Sequence, residues 1–532
     1  MTFQDPRPAR GPLQPQDLEQ LRAHGLDAEE AVRQLQLLRR GSAGRRLQRA
    51  CRVGDGIDRW SEEEALRFEG RGREVAADGR LSLFVPASGA ATRMFEPIAW
   101  AAEAATWSLA DLDRRALAGE AGAAAVLRFW AARERLPFWP RWRSAAEAAG
   151  IDLSAAGGAT IRAALAVLLS PAGLGYSGRP KGLIPFHGSD FQEGGARSAL
   201  AEQILDAFDL VRDRAGRVRV HATVASEFEV EFRAEAERWA SRLDGQLELT
   251  LSCQAPSTDT LALDEHGLPA RESDGRLVLR PGGHGALLDN LARSPADLVL
   301  VRNIDNVQSV AHREASRRWR RRIAGCLAHL QGQAFELLDG LASGPSDATL
   351  EAAEQLSRAA FGVAASWPRE REARRQALVR TLDRPIRVCG MVPHAGEPGG
   401  GPFWVEEVEG SGWRQIVEGA EVVHGRPEQR GVWQSSTHFN PVDLAIGQRD
   451  RANRPYDLAR FRDPGAVLVT DKVHGGRRLR ALEHPGLWNG SMARWLTVFV
   501  EIPAAVFSPV KTVLDLLRPE HQTESELRPK HS

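Results

Sequence analysis

Only four of the seventy basic residues in this 532-residue chain are lysines: Lys181, Lys472, Lys511 and Lys530. All the other basic side chains are arginine. An ammonium on a flexible stem acts as a compact point charge between phosphate oxygens, where the planar guanidinium fork demands a bidentate partner. A lysine kept in so arginine-rich a chain is therefore a candidate phosphate contact. Lys530 falls in a polar tail and serves only as a control. Lys181 sits in "GRPKGLIPFHG" (178–188), Lys511 in "FSPVKTVLDL" (507–516), and Lys472, near "HGGRR", reads as part of a ligand-facing loop.

Three further stretches have the residue types that phosphate chemistry needs. In "LFVPASGAATRMFEP" (83–97) an apolar run gives way to Ser88, Gly89, Ala90, Ala91 and Thr92, with Arg93 opening a helix. Small residues there let a backbone come close to a phosphate, and the helix N-terminus favours an anion. In "ADLVLVRNIDNV" (296–307) an apolar strand ends in Asn303, Asp305 and Asn306, and Asp305 is the carboxylate suited to Mg²⁺ held against phosphates. Such a carboxylate is expected to be loosely packed and dispensable for folding. "RPGGHGALLDNL" (280–291) sets Gly283, His284 and Gly285 before a helix, where the backbone can approach a flat base or a ribose. Each stretch also has a plain structural reading: a tight turn, a helix cap, a Gly-rich hairpin.

The elements that must hold these residues follow from the hydropathy pattern. Residues 1–16 and 523–532 read as disordered tails, and 17–80 as a helical N-terminal cap carried by Leu18, Leu21, Leu26, Val32, Leu35 and Leu38. From 81 to 522 buried strands alternate with helices. The strands are Leu81–Pro86, 218–226, 247–254, 296–307 and 385–392, and helical insertions fall at about 101–170 and 310–380. This alternation predicts an α/β domain built on a mostly parallel, doubly wound sheet. In such sheets ligands bind beyond the carboxyl ends of the strands, where all three stretches lie.

Composition narrows the functional classes. With 70 basic and 70 acidic side chains the formal charge is zero, which argues against a nucleic-acid partner. No run reaches the roughly 20 apolar residues that cross a bilayer, and the first sixteen residues lack an apolar core. Cys51, Cys253, Cys326 and Cys389 are too scattered for a disulfide framework or a zinc site, so the expected location is the cytoplasm.

The motifs, taken in order, resemble nucleotidyltransferases of the UDP-sugar pyrophosphorylase type. The loop at 88–93 is similar to that family's Gly-Gly-x-Gly-Thr-Arg, with Ser88 and Ala91 where the family has glycine. Pro180-Lys181-Gly182 looks like its Pro-Lys-Gly block, although here more than eighty residues separate the two. Gln415-Ile416-Val417-Glu418 resembles its Val-Val-Glu stretch at the sugar site, and 507–516 its Phe-Ser-Pro-Leu-Lys-Asn segment. A more extensive resemblance, from about 15 to 522, is to the bacterial family of domain of unknown function 4301. It is carried by "QAPSTDTLALD", "RPGGHGALLDNL", "CGMVPHAGEPGGGPFWV", "STHFNPVDL" and "LEHPGLWNGSMARW".

The pyrophosphorylase resemblance implies a nucleotidyltransferase-like fold, Mg²⁺ as cofactor, and a nucleoside triphosphate and a sugar-1-phosphate as partners. It implies catalytic roles for Arg93 on the β/γ-phosphates, Lys181 on the α-phosphate and Lys511 on the sugar phosphate. Glu418 would accept from sugar hydroxyls, and Asn306 belongs to the substrate loop. Two other readings remain open. One is a non-catalytic binder of nucleotides or sugar phosphates. The other is a metal-dependent hydrolase using His187, His221, His284, His438 and Asp305, though no two of these histidines have a tight helical metal-binding spacing. Trp404, Trp413, Trp433 and Phe403 read as core, and Trp488, beside Gly486 and Asn489-Gly490, as exposed.

Overall fold

The computed structural model describes residues 13–522 except 42–43, 105, 156, 189–194, 364–365, 395, 397–398, 407–411 and 423–425. The expected tails therefore lie outside the described residues, apart from 13–16. There the first helix, α1 (Pro15–His24), already begins, with proline at its first position.

Eight of the apolar segments form one sheet. They are β1 (Leu81–Pro86), β2 (Arg217–Thr223), β3 (Gln246–Ser252), β4 (Leu298–Arg302), β5 (Ile386–Pro393), β6 (His438–Phe439), β7 (Asp443–Gly447) and β8 (Leu496–Glu501). The order is β6-β5-β7-β4-β1-β2-β3, with β8 also paired to β5. All five residues of β4 and the first five of β1 are buried, because both faces of the sheet are covered. Their sequences accordingly read as continuous apolar runs rather than alternations.

The sheet is mixed, so the mostly parallel expectation holds for part of it. The pairs β4–β1, β1–β2, β2–β3 and β5–β8 are parallel. However, β7 lies antiparallel between β4 and β5, and β6 pairs antiparallel with β5. A buried strand has the same hydropathy in either direction, so its sense is set by its connections. β6 and β7 run in the same direction along β5, with a bulge between them where Val442 stands at φ 62°, a left-handed backbone rare for a β-branched residue. Inserting one reversed strand leaves β1, β2, β3, β4, β5 and β8 running the same way, so their carboxyl ends share one edge.

The expected N-terminal cap divides into two parts. Helices α1 and α2 (Ala28–Arg40) pack Leu21, Leu35 and Leu38 against Leu261, Leu263 and Leu482 of a separate four-stranded sheet. Helix α3 (Glu62–Ala77) instead crosses the long helix Arg313–Ala342. The contact is so close that a Cβ at Gly72 would stand 2.1 Å from the Arg321 carbonyl, and one at Gly325 would stand 1.8 Å from that of Phe68. Much of the arginine is internal. Buried Asp206 accepts from Arg302 (2.9 Å) and from Arg317 (2.9 Å), and Asp443 accepts from Arg320 (2.9 Å). Among the described residues no helix is long and apolar enough to cross a membrane.

Candidate functional site

Beyond β1 the chain turns at the carboxyl edge into α4 (Thr92–Glu103). Gly89 and Ala90 are exposed, and among the described residues nothing lies within 4 Å of a Cβ built at Gly89. The loop tip therefore borders open space. Ala91 caps α4 without a side-chain bond, and of the first-turn N–H groups that of Met94 donates to the Ala91 carbonyl (2.9 Å). Ala91 itself is buried, and its N–H donates to the Arg179 carbonyl (2.8 Å). The Lys181 N–H donates to the Gly89 carbonyl (2.9 Å), and Thr92 Oγ1 donates to that of Ser177 (3.0 Å). Pro180-Lys181 is thus stapled to the loop despite the intervening residues, which loop out as the helical insertion.

Lys181 and Lys511 converge on Asp305. Lys181 Nζ lies 3.0 Å from Asp305 Oδ2 and donates to the Val510 carbonyl (2.7 Å), and Lys511 Nζ lies 3.2 Å from the same carboxylate oxygen. The segment carrying Lys511 is laid along the loop after β4. Val510 N–H donates to the Asp305 carbonyl (3.1 Å) and Ser508 N–H to Asn306 Oδ1 (3.0 Å). Burial alone would raise the Asp305 carboxyl. The ammoniums of Lys511 and Lys181 outweigh it and hold the group below its usual range. Lys181 is mostly buried, whereas half of the Lys511 side chain is exposed.

Asp305 Oδ1 is buried without a hydrogen-bond partner among the described residues. One free carboxylate oxygen at the edge of an open loop fits Mg²⁺, which is commonly held by one or two carboxylates together with substrate phosphates. Among the described residues no group of three His, Cys, Asp or Glu could hold a metal alone. The histidines of the hydrolase reading are dispersed and partnered: His187 with Glu202 and His521, His221 with Ser252, and His438 with Glu501.

Asn306 faces inward. It is 1% exposed, and its amide ties the Ser508 N–H and approaches Asp443 at 3.5 Å, so it supports the loop rather than reaching a ligand. The Asn303 carbonyl accepts from Gln203. Arg93 is exposed and pairs with no carboxylate among the described residues. Lys472 lies on the strand Leu468–His474, not on a loop, and pairs with Glu483 (3.0 Å).

His284 and Glu418 belong to a second cluster. The Leu487 N–H donates to His284 Nδ1 (3.1 Å), the His284 ring lies 4.3 Å from that of Trp488, and its Nε2 is 4.0 Å from Glu418 Oε1. Burial pushes the His284 imidazole down to about 4. Burial, with Glu421 and Glu483 nearby, pushes the Glu418 carboxyl up to about 7. The two therefore meet near neutrality as a largely uncharged imidazole and a half-ionised acid, not as a firm ion pair. Gly283 (φ +74°) and Gly285 serve packing: their Cβ atoms would stand 2.8 Å from Glu483 Oε2 and 2.1 Å from the Pro485 carbonyl. Trp488 is half-buried, whereas Phe403, Trp404 and Trp413 are core residues.

Sequence reasoning missed the groups that frame this second cluster. Arg387, fully buried on β5, donates to the Trp488 carbonyl (2.6 Å), Gln415 Oε1 (3.0 Å) and Thr497 Oγ1 (2.8 Å), joining three separate segments. Asn489 Nδ2 donates to Glu421 Oε2 (3.0 Å). An arginine inside an apolar strand was the one available signal, and among so many arginines it did not stand out.

Solved structures with a similar chain path include three enzymes. The UDP-N-acetylglucosamine pyrophosphorylase of Trypanosoma brucei is 11% identical, covering 92% of this chain and 74% of that one, at a TM-score of 0.44. The UDP-glucose phosphorylase of the same organism is 12% identical, covering 95% and 80%, at 0.43. The UDP-glucose pyrophosphorylase of Leishmania major is 10% identical, covering 96% and 78%, at 0.41. Likenesses this distant do not extend to residue roles. Among curated proteins none matches in sequence. The family model described as "Domain of unknown function (DUF4301)" matches residues 14–522, and the chain belongs to that family.

Proposed function

We propose that the protein is a nucleotidyltransferase that moves a nucleoside monophosphate from a nucleoside triphosphate to a sugar-1-phosphate and releases pyrophosphate. One observation carries this reading: Lys181 and Lys511, from distant parts of the chain, meet at the buried Asp305 carboxylate beside an open small-residue loop. Phosphoryl-type transfer asks for charge neutralisation and alignment rather than covalent participation, and this arrangement offers both.

An oxygen of the sugar phosphate attacks the α-phosphorus in line, and the bond to the pyrophosphate oxygen breaks with its electron pair. The backbone of 88–92 and the start of α4 receive the phosphate chain, with Arg93 free to reach the β- and γ-phosphates. Lys181 neutralises the α-phosphate and Lys511 the sugar phosphate. Gly283, His284 and Gly285 shape the wall against the base or ribose, and Glu418 accepts from sugar hydroxyls. Asp305 Oδ1 would hold Mg²⁺, which when bound supplies charge neutralisation between phosphate oxygens. A panel of nucleoside triphosphates against sugar-1-phosphates with Mg²⁺, read by pyrophosphate release, tests the reading. Triphosphate binding with no release from any pair would overturn turnover and leave a binding protein.

A further inference from the structure

Asp305 is engaged at one carboxylate oxygen and, among the described residues, unpartnered at the other. Oδ2 carries two ammoniums at 3.0 and 3.2 Å, while Oδ1 is buried without a partner among the described residues. Two positive charges within hydrogen-bonding distance oppose a divalent cation on the same carboxylate by Coulomb repulsion. A phosphate-bearing ligand removes that opposition, because its oxygens compete for the same ammoniums. Lys511 is suited to such an exchange, since half of its side chain is exposed and its Nζ has Asp305 as its only partner among the described residues. Lys181 is held at one further point, the Val510 carbonyl, on the segment that also carries Lys511.

We infer that Lys181 and Lys511 hold the Asp305 carboxylate against divalent cations until a phosphate-bearing ligand draws the ammoniums away, so that cation and phosphate ligand bind with mutual positive coupling. This rests on the proposed ligands of the site, but it concerns their binding rather than their reaction. Coupling of this kind is reciprocal: whatever factor the anion adds to the cation's affinity, the cation adds to the anion's.

The test uses the full chain, Mn²⁺ counted by the electron paramagnetic resonance of the free ion, and sulfate as a tetrahedral dianion against chloride at matched ionic strength. In the unaltered protein sulfate should tighten Mn²⁺ binding about tenfold, within the usual range of such couplings. Lys511→Gln should tighten sulfate-free Mn²⁺ binding by a similar factor and flatten the sulfate dependence. Its half-exposed position keeps the fold, which Lys181→Gln does not guarantee. Asp305→Asn should abolish Mn²⁺ binding yet tighten sulfate binding, because the lysines are then released. Lys530→Gln should change nothing. Equal Mn²⁺ affinity with and without sulfate, or no gain in Lys511→Gln, would overturn the inference. No nucleotide is present, so the two readings fail separately: coupling without pyrophosphate release removes only the transferase, and release without coupling removes only the exchange.

Discussion

His187 Nε2 and His521 Nδ1 lie 3.0 Å apart in the interior, with their rings stacked at 5.3 Å. His187 belongs to the short strand just after Pro-Lys-Gly, and His521 to the far end of the segment that brings in Lys511. His187 Nδ1 meets Glu202 Oε1 (2.8 Å), and that carboxylate also accepts from Arg197 (2.6 Å) and Arg313 (2.8 Å). The chain from 507 to 522 is therefore held at both ends, by Asn306 at one and by this imidazole pair at the other.

Acid should loosen the second anchor. Burial, then His187 and Arg518, push the His521 imidazole down to about 3, although Glu202 pulls the other way. Folded His521 is neutral while unfolded His521 takes up a proton below about pH 6.5. Its contribution to stability is thus complete above that pH and fades as the pH falls from 6.5 towards 3. The penalty reaches about 1.4 kcal/mol at pH 5.5. The melting temperature of the unaltered protein should drop from pH 7.5 to 5.5 by about 1 °C more than that of His521→Gln, as expected for that free energy in a chain of this size. Parallel curves would mean that His521 is not the titrating group.

Replacing either site lysine by arginine should lower turnover sharply while conserving charge. At position 181 the ammonium fits between Asp305 Oδ2 and the Val510 carbonyl in a mostly buried setting, where a planar guanidinium is too wide. Lys181→Arg should therefore also reduce the melting temperature. Lys511→Arg, half-exposed, should keep it. Lys530→Arg, outside the described residues, is the control. Pyrophosphate release at unaltered rates in both site variants would show that the lysines persist by chance.

Asp305→Asn should destabilise the fold, contrary to the expectation of a loosely packed carboxylate. Its loss leaves the mostly buried Lys181 ammonium without its counter-charge, at a cost of about 1–3 kcal/mol. Denaturant melts of Asp305→Asn and of the double variant with Lys181→Met should show the second change recovering part of the loss. If the single variant melts like the unaltered protein, the pair contributes nothing to folding.

Glu418 predicts the opposite pH trend. Its carboxyl is raised to about 7 by burial and by Glu421 and Glu483, against about 4.5 when unfolded. Its contribution is complete below about pH 4.5 and is lost as the pH rises through 7. Glu418→Gln should thus gain stability relative to the unaltered protein between pH 6 and 8, and its binding of any hydroxylated ligand should lose its pH dependence near 7. A constant difference in melting temperature across that range would assign the carboxyl an ordinary environment.

The sequence made the site loop visible because its signal is local: an apolar strand, small residues, then a helix with arginine in its first turn. Lys181 and Lys511 were found through composition, and both reach Asp305. Their shared contact was not legible, since it joins residues 124 and 206 positions away from Asp305. The reversed strand Asp443–Gly447 was missed because burial hides strand direction, and the inward turn of Asn306 was not legible because an asparagine at a strand end reads alike whether it faces ligand or interior. Gly283 and Gly285 were expected to admit a base, and their close packing against Glu483 and Pro485 could not be read from the sequence. Only the tertiary contacts distinguish these alternatives.

The scarcity of lysine also gives the protein a built-in label. Its three described lysines are all paired with carboxylates, two on Asp305 and one on Glu483. Growth on ¹⁵N-lysine would place only four side-chain nitrogens in the whole molecule, and reductive methylation with ¹³C-formaldehyde would tag the same four amines and the chain's amino terminus. Two of the lysine signals would come from the Asp305 carboxylate and one from the edge of the Glu483 cluster. The arrival of an anion at either place could then be followed by resonance, residue by residue, without introducing a foreign probe.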